Sequence, residues 1–166
     1  MGTAPPMKRS DVAIRPAVAE DAATIAAIVR LAYQIYIPRL GRAPAAMGVD
    51  HARAVAAGGV HVAIHRGAVV GVVTLTDTDA GCLLNNLAVA PDAQGRGIGR
   101  ALIDFAENQA RTREHDHITL YTNEQMTEHI ALYRRLGYVE VARRREAGYR
   151  RIYIWQSRSV RKPARC

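Results

Sequence analysis

Three glycines, Gly95, Gly97 and Gly99, fall within the six residues from Gln94, with Arg96 between them and Arg100 directly after. Before them runs Leu84-Asn85-Asn86-Leu87-Ala88-Val89, whose apolar branched residues read as a buried strand, and Pro91 ends it because proline has no N–H for a sheet ladder. After them Ile98 to Ile103 opens an amphipathic helix. A Gly-rich joint between a strand and a helix N-terminus presents backbone N–H groups that the helix cannot satisfy internally. The helix dipole adds about half a positive charge, so the joint suits a phosphate. Glycine lets the backbone approach such a ligand and adopt φ > 0. The spacing narrows the choice: the third glycine comes one residue too early for a G-x-G-x-x-G dinucleotide loop, and no Gly-Lys-Ser/Thr follows to make a P-loop.

Other reactive side chains give weaker signals. His115-Asp116-His117 has no third ligand at metal-binding spacing, so no metal site is expected. Cys82 and Cys166 make neither a disulfide framework nor a metal pattern, and a reducing cytoplasm is the simplest setting.

These residues need a scaffold, and its elements can be read along the chain. Val12–Pro16 alternates as a first strand, and residues 20–36 place Ile25, Ile28, Val29, Ala32 and Ile35 at helical spacing. Pro38, Gly41 and Pro44 predict a loop, followed by a short helix from about Asp50 to Ala57. His61–His65, Arg66-Gly67 and Ala68–Leu75 read as a β-hairpin, and Asp77–Gly81 turns into the strand at Cys82–Val89. A helix over 97–113, a strand at Ile118–Thr122 and a helix over Thr127–Leu136 capped by Gly137 come next. Tyr138–Val141 and Arg151–Trp155 form a last hairpin. This order predicts an α/β sandwich with a mixed sheet in one domain over residues 11–156. A disordered N-terminus is expected at 1–10 and a basic disordered tail at 157–166.

Gln94-Gly95-Arg96-Gly97-Ile98-Gly99, read as Q/R-x-x-G-x-G/A behind Leu87-Ala88-Val89-x-Pro91, resembles the pyrophosphate-binding loop of the GNAT-type N-acetyltransferases. Ile130-Ala131-Leu132-Tyr133-Arg134-Arg135-Leu136-Gly137-Tyr138 is similar to a second signature of that family, A-x-x-L-Y-x-x-x-G-F/Y. The resemblance covers roughly residues 11–156 and implies a mostly antiparallel mixed sheet whose central strands splay, with helices on its flanks. It implies direct transfer of acetyl from acetyl-CoA to an amine of a small molecule or protein. Pantetheine would then bond the backbone at Leu87, Ala88 and Val89, while Gln94, Gly95, Arg96, Gly97, Ile98, Gly99 and Arg100 take the pyrophosphate. Asn123 would touch pantetheine, although the family's seven-residue spacing from asparagine to tyrosine falls here on Met126. Tyr133 would serve the leaving thiolate as proton or hydrogen-bond donor, a role suited to a phenol of pKa about 10. Tyr33, Tyr36, Asn85 and Asn86 would face the acceptor.

Asn85 stands near where many relatives carry a glutamate, and asparagine cannot accept a proton. A water chain, His61, His65, His129 or Tyr36 are the alternatives for a base, and a weakly basic amine needs none. Two other readings stay open: an acyl-CoA-binding sensor without catalysis, and an acetyltransferase acting on an RNA-linked amine.

Composition bounds the partners. The chain has 166 residues and a net charge of +8. Nine of its 23 Arg/Lys and only one acid lie in residues 143–166, so the rest is electrically balanced. The excess is read as a solvated strand edge and tail. With 5% aromatics and no nucleic-acid motif, a nucleic-acid partner is not expected. No apolar run approaches the ~20 residues that span a bilayer, and residues 1–6 lack the order of a secretory signal. Assembly as a homodimer is left open.

Overall fold

The hairpin signal at Arg66-Gly67 is realised literally. Both residues take φ > 0, at 49° and 79°, the conformation whose twist matches two right-twisted strands. They join β2 (Val60–His65) to β3 (Ala68–Thr78), and β1 (Val12–Pro16) pairs antiparallel with β2 from Val12↔His65 to Pro16↔His61. β4 (Gly81–Val89) follows β3 after two residues, and β5 (His117–Asn123) pairs parallel with it. A parallel pair requires a crossover, here α4 (Ile98–Thr112). β6 (Val139–Glu146) and β7 (Tyr149–Ser157) close the chain, and β7 inserts between β5 and β6. The computed structural model describes residues 11–157 and has a seven-stranded mixed sheet in the order β1-β2-β3-β4-β5-β7-β6. The segments expected to be disordered, 1–10 and 157–166, lie outside the described residues except for Ser157, which ends β7.

The chain forms two compact units. The first holds the chain up to Thr74 together with Asn86–Phe105. Its core packs Ile25, Ile28 and Val29 of α1 (Ala22–Tyr33) against Val60, Val62, Val72 and Ala88. These are the apolar positions of the predicted first helix meeting the inward residues of strands. Asp21, at the start of that helix, accepts from Arg15 Nη1 at 2.7 Å and from the Val18 N–H at 2.8 Å, which lowers its pKa.

The second unit holds Leu75–Asn85 and the chain from Ala106. It includes β5, α5 (Thr127–Arg135) and the β6–β7 hairpin. β5 and β7 alternate in burial along the strand. Ile118, Leu120 and Thr122 of β5 and Ile152 and Ile154 of β7 are buried, whereas Thr119, Tyr121, Asn123, Arg151 and Tyr153 are half-buried on the other face.

Two expectations are corrected. Pro38 does not open a loop: Ile37–Leu40 is a short helix, α2, with Pro38 in its first turn and Gly41 at φ 67° capping it. Proline is tolerated there because first-turn N–H groups have no intrahelical acceptor. The terminal hairpin is also longer than predicted, running through Arg143–Glu146 and turning at Ala147-Gly148, both at φ > 0. Arginine-rich strands lack the apolar alternation that marks strands in a sequence, and here ladder bonds to β7 carry them. Just before β2 comes α3 (His51–Ala57), capped by the Asp50 carboxylate, which accepts from the Arg53 N–H at 3.0 Å.

Gly71 on β3 sets how closely α4 begins against the sheet. A Cβ there would meet Leu102 Cδ1 at 3.0 Å, the Ala88 carbonyl at 3.2 Å and Ile98 Cγ2 at 3.2 Å. Gly71→Ala is therefore expected to destabilise the fold by about 1–3 kcal/mol, the usual cost of overpacking. A thermal melt checks this, and a melting temperature equal to the parent's would show that α4 yields freely.

Candidate functional site

In the first unit the strand-to-helix joint has the geometry that the glycines imply. After Val89 the chain makes a tight turn at Pro91–Ala93, with the Ala93 N–H donating to the Ala90 carbonyl at 2.9 Å. Gln94 is extended, and Gly95 and Gly97 then take φ of 76° and 81°. A Cβ built on either would meet nothing within 4 Å, so the space beside this backbone is open. The helical ladder starts with Ala101 N–H to the Gly97 carbonyl at 3.0 Å. The N–H groups of Ile98, Gly99 and Arg100 precede it and have no intrahelical acceptor. Ile98 is 1% exposed and anchors the turn, while Gln94 to Gly97 are exposed. Together these donors and the α4 dipole make a cradle for an anion.

The side chains around the cradle divide. Arg96 is exposed. Arg100 bonds Asp104 one turn on at 3.0 Å, so part of its charge is already used. Gln94 Nε2 donates to the Val89 carbonyl at 3.1 Å, which ties the loop to the end of β4 rather than aiming the amide outward. The Tyr33 hydroxyl lies 3.0 Å from Asn86 Oδ1 and 3.2 Å from the Leu87 carbonyl, gathering three of the expected residues on α1 and β4. Both the Leu87 and Val89 carbonyls thus accept from the chain itself, each with a second lone pair to spare. Tyr36 is 4% exposed, with its ring 6.3 Å from that of Tyr33 and the Arg39 guanidinium 5.4 Å from its centroid. It packs. Ala88 is buried.

In the second unit Tyr133 is 6% exposed on α5, its ring edge-on to Tyr138 at 5.4 Å. Among the described residues its hydroxyl has no hydrogen-bond partner. Burial pushes its pKa well above that of free tyrosine, so the phenol keeps its proton at neutral pH. His129, one turn earlier and so on the same face of α5, has a pKa lowered by burial and is neutral there. Asn123 Oδ1 accepts from the Gln125 N–H at 2.9 Å, a local turn that engages the side chain with its own backbone. Asn85 is exposed and donates to the Thr76 hydroxyl. Among the described residues no cluster of His, Cys, Asp or Glu could hold a metal ion. Among the described residues no helix is long and apolar enough to cross a membrane.

The acetyltransferase (GNAT) domain model matches residues 56–140, a stretch that includes both the glycine cradle and Tyr133. The chain belongs to the GNAT acetyltransferase family. A GCN5-related N-acetyltransferase of Rhodopseudomonas palustris is 26% identical, and the match covers 91% of this chain and 98% of that one with a TM-score of 0.71. The PaiA N-acetyltransferase of Thermoplasma acidophilum, solved in complex with coenzyme A, shares the fold at 15% identity and a TM-score of 0.69 over 88% of this chain and 98% of that one. Mycothiol acetyltransferase of Beutenbergia cavernae is 45% identical over 56 residues, which span 34% of this chain and 19% of that protein. The seven-stranded mixed sheet with flanking helices agrees with the family fold.

One further group carries almost no signal in the sequence. Tyr121, Tyr153, Arg144, Arg151 and Glu146 meet on one face of the second unit through β5, β7 and β6. Their only sequence signal is the alternation Tyr149-Arg150-Arg151-Ile152-Tyr153-Ile154, which the run of arginines masks.

Proposed function

We propose that this chain transfers an acetyl group from acetyl-CoA directly to the amine of a small molecule or a protein. The observation that carries the reading is the open cradle of Gly95 and Gly97 at the N-terminus of α4, within the stretch matched by the GNAT model. Its N–H groups, with Arg96, suit the pyrophosphate of coenzyme A, and the free lone pairs at Leu87 and Val89 suit the amides of pantetheine.

In this mechanism the neutral amine attacks the thioester carbonyl, and the C–S bond of the resulting adduct breaks. The acetyl group stays on nitrogen and the electron pair leaves on sulfur. Tyr133, held protonated by burial and with no protein acceptor for its hydroxyl among the described residues, donates to that thiolate. Asn85 cannot take the amine proton; in this scheme the neutral imidazole of His129, or a water, accepts it. The cytoplasm is the proposed setting and a homodimer the simplest assembly to test by light scattering.

Release of free CoA from acetyl-CoA, measured with a panel of alkylamines, amino acids, polyamines and peptides, tests the proposal. Amine-dependent release supports it. Tight CoA binding with no release for any amine would instead favour a sensor.

A further inference from the structure

The open face of the second unit carries a group that the acetyl-transfer scheme does not use. On β5 the half-buried side is Thr119, Tyr121 and Asn123, and their partners on β7 are Trp155, Tyr153 and Arg151. Directly opposite residues share a face of the sheet, so Tyr153 continues to Ala142 and Arg151 to Arg144 on β6. The two tyrosine rings stand 5.7 Å apart at 45°. The Arg151 guanidinium lies 4.4 Å from the Tyr121 centroid and that of Arg144 lies 5.1 Å from the Tyr153 centroid. Both are within cation–π range.

Glu146 locks the arrangement. One of its oxygens accepts from the Tyr153 hydroxyl at 2.6 Å and from Arg151 Nη1 at 2.9 Å, and these bonds hold its pKa below the usual carboxylate value. Two guanidiniums therefore face one carboxylate. Glu146 takes the charge of Arg151. Arg144 makes no ion pair among the described residues and rests on a ring instead. A surface arginine usually roams in solvent, whereas this one is held over the Tyr153 ring, in the same cross-strand row as Arg151 and, on the far side of Arg151, Asn123, the residue expected to touch pantetheine.

We infer that this face selects the acceptor, and that the acceptor carries an oxyanion, a carboxylate or a phosphate, set apart from its amine. The oxyanion takes the N–H fork of Arg144 and the outward edge of Arg151, and the carbon chain lies on Tyr121 and Tyr153. Arginine suits this task because its planar fork meets two oxygens at once. The inference rests on the transferase reading above and narrows its substrate class.

The test compares three acceptor series of equal chain length: ω-amino acids, ω-aminoalkyl phosphates and n-alkylamines. The parent protein should show kcat/KM at least about tenfold higher for an anionic series than for the alkylamines, and the stronger anionic series identifies the oxyanion. Arg144→Gln, at an exposed position, should raise KM for that series by about tenfold with kcat and alkylamine turnover unchanged. Tyr153→Phe, which frees Glu146 and loosens Arg151, should raise it as well. Equal kcat/KM across all three series, or an Arg144→Gln loss shared by the alkylamines, overturns the inference while leaving the transferase reading intact. Absence of CoA release with every amine overturns both.

Discussion

Tyr133→Phe is expected to lower kcat by roughly 10²–10⁴-fold, the range over which a positioned proton donor acts. The thiolate of coenzyme A is a modest leaving group, and its departure is helped by a donor that still holds its proton at working pH. Burial of Tyr133 at 6% exposure secures that state. The substitution removes one hydroxyl that has no partner among the described residues and keeps the ring that meets Tyr138 edge-on. Melting temperature and affinity for acetyl-CoA should therefore stay close to the parent's. A buried structural hydrogen bond would instead cost stability by about 1 kcal/mol and spare kcat. Turnover within a few-fold of the parent with a good acceptor would remove Tyr133 from the mechanism. The same burial has a consequence for stability. With its folded pKa raised above the unfolded value of about 10, Tyr133 contributes fully below that pH, and the contribution is lost as pH rises beyond it. Alkaline unfolding followed by circular dichroism should shift to higher pH in Tyr133→Phe, since phenylalanine has no proton to lose.

The second large effect is at the cradle. Gly97→Asp should abolish measurable binding of CoA in a calorimetric titration while the protein still melts cooperatively. A side chain at Gly97 projects into open space, so packing is undisturbed. On the proposed reading the carboxylate then stands in the space assigned to the pyrophosphate. Two like charges about 4 Å apart at an effective dielectric near 20 repel by about 4 kcal/mol, roughly a thousandfold in affinity. Gly97→Ala separates charge from backbone strain. It keeps the φ of 81° that a non-glycine residue adopts at a cost of about 1–2 kcal/mol, and it should lose far less affinity. Affinity of the aspartate variant equal to the parent's would place the phosphates elsewhere.

Most of the scaffold is legible in the sequence, for local reasons. Arg66-Gly67 can only make a tight hairpin turn, Gly137 after an amphipathic stretch can only cap a helix, and the glycines at 95 and 97 demand a backbone that only glycine takes easily. Such signals are written in neighbouring residues, and they decided the element order, the cradle and the family. Pro38 was misread because its rank within a helix, which decides whether proline breaks or starts one, depends on where the helix begins. The destinations of side chains were beyond sequence altogether. Gln94 turns back to Val89, and Tyr33 bonds β4, residue separations of 5 and 54 that only the folded chain closes. The face of Tyr121, Tyr153, Arg144, Arg151 and Glu146 is the plainest case. Those residues become neighbours because β7 pairs between β5 and β6, with Ile152 and Ile154 buried on the opposite side of the sheet. Local periodicity reports which way each strand faces, but register and strand order are settled by contacts between distant segments.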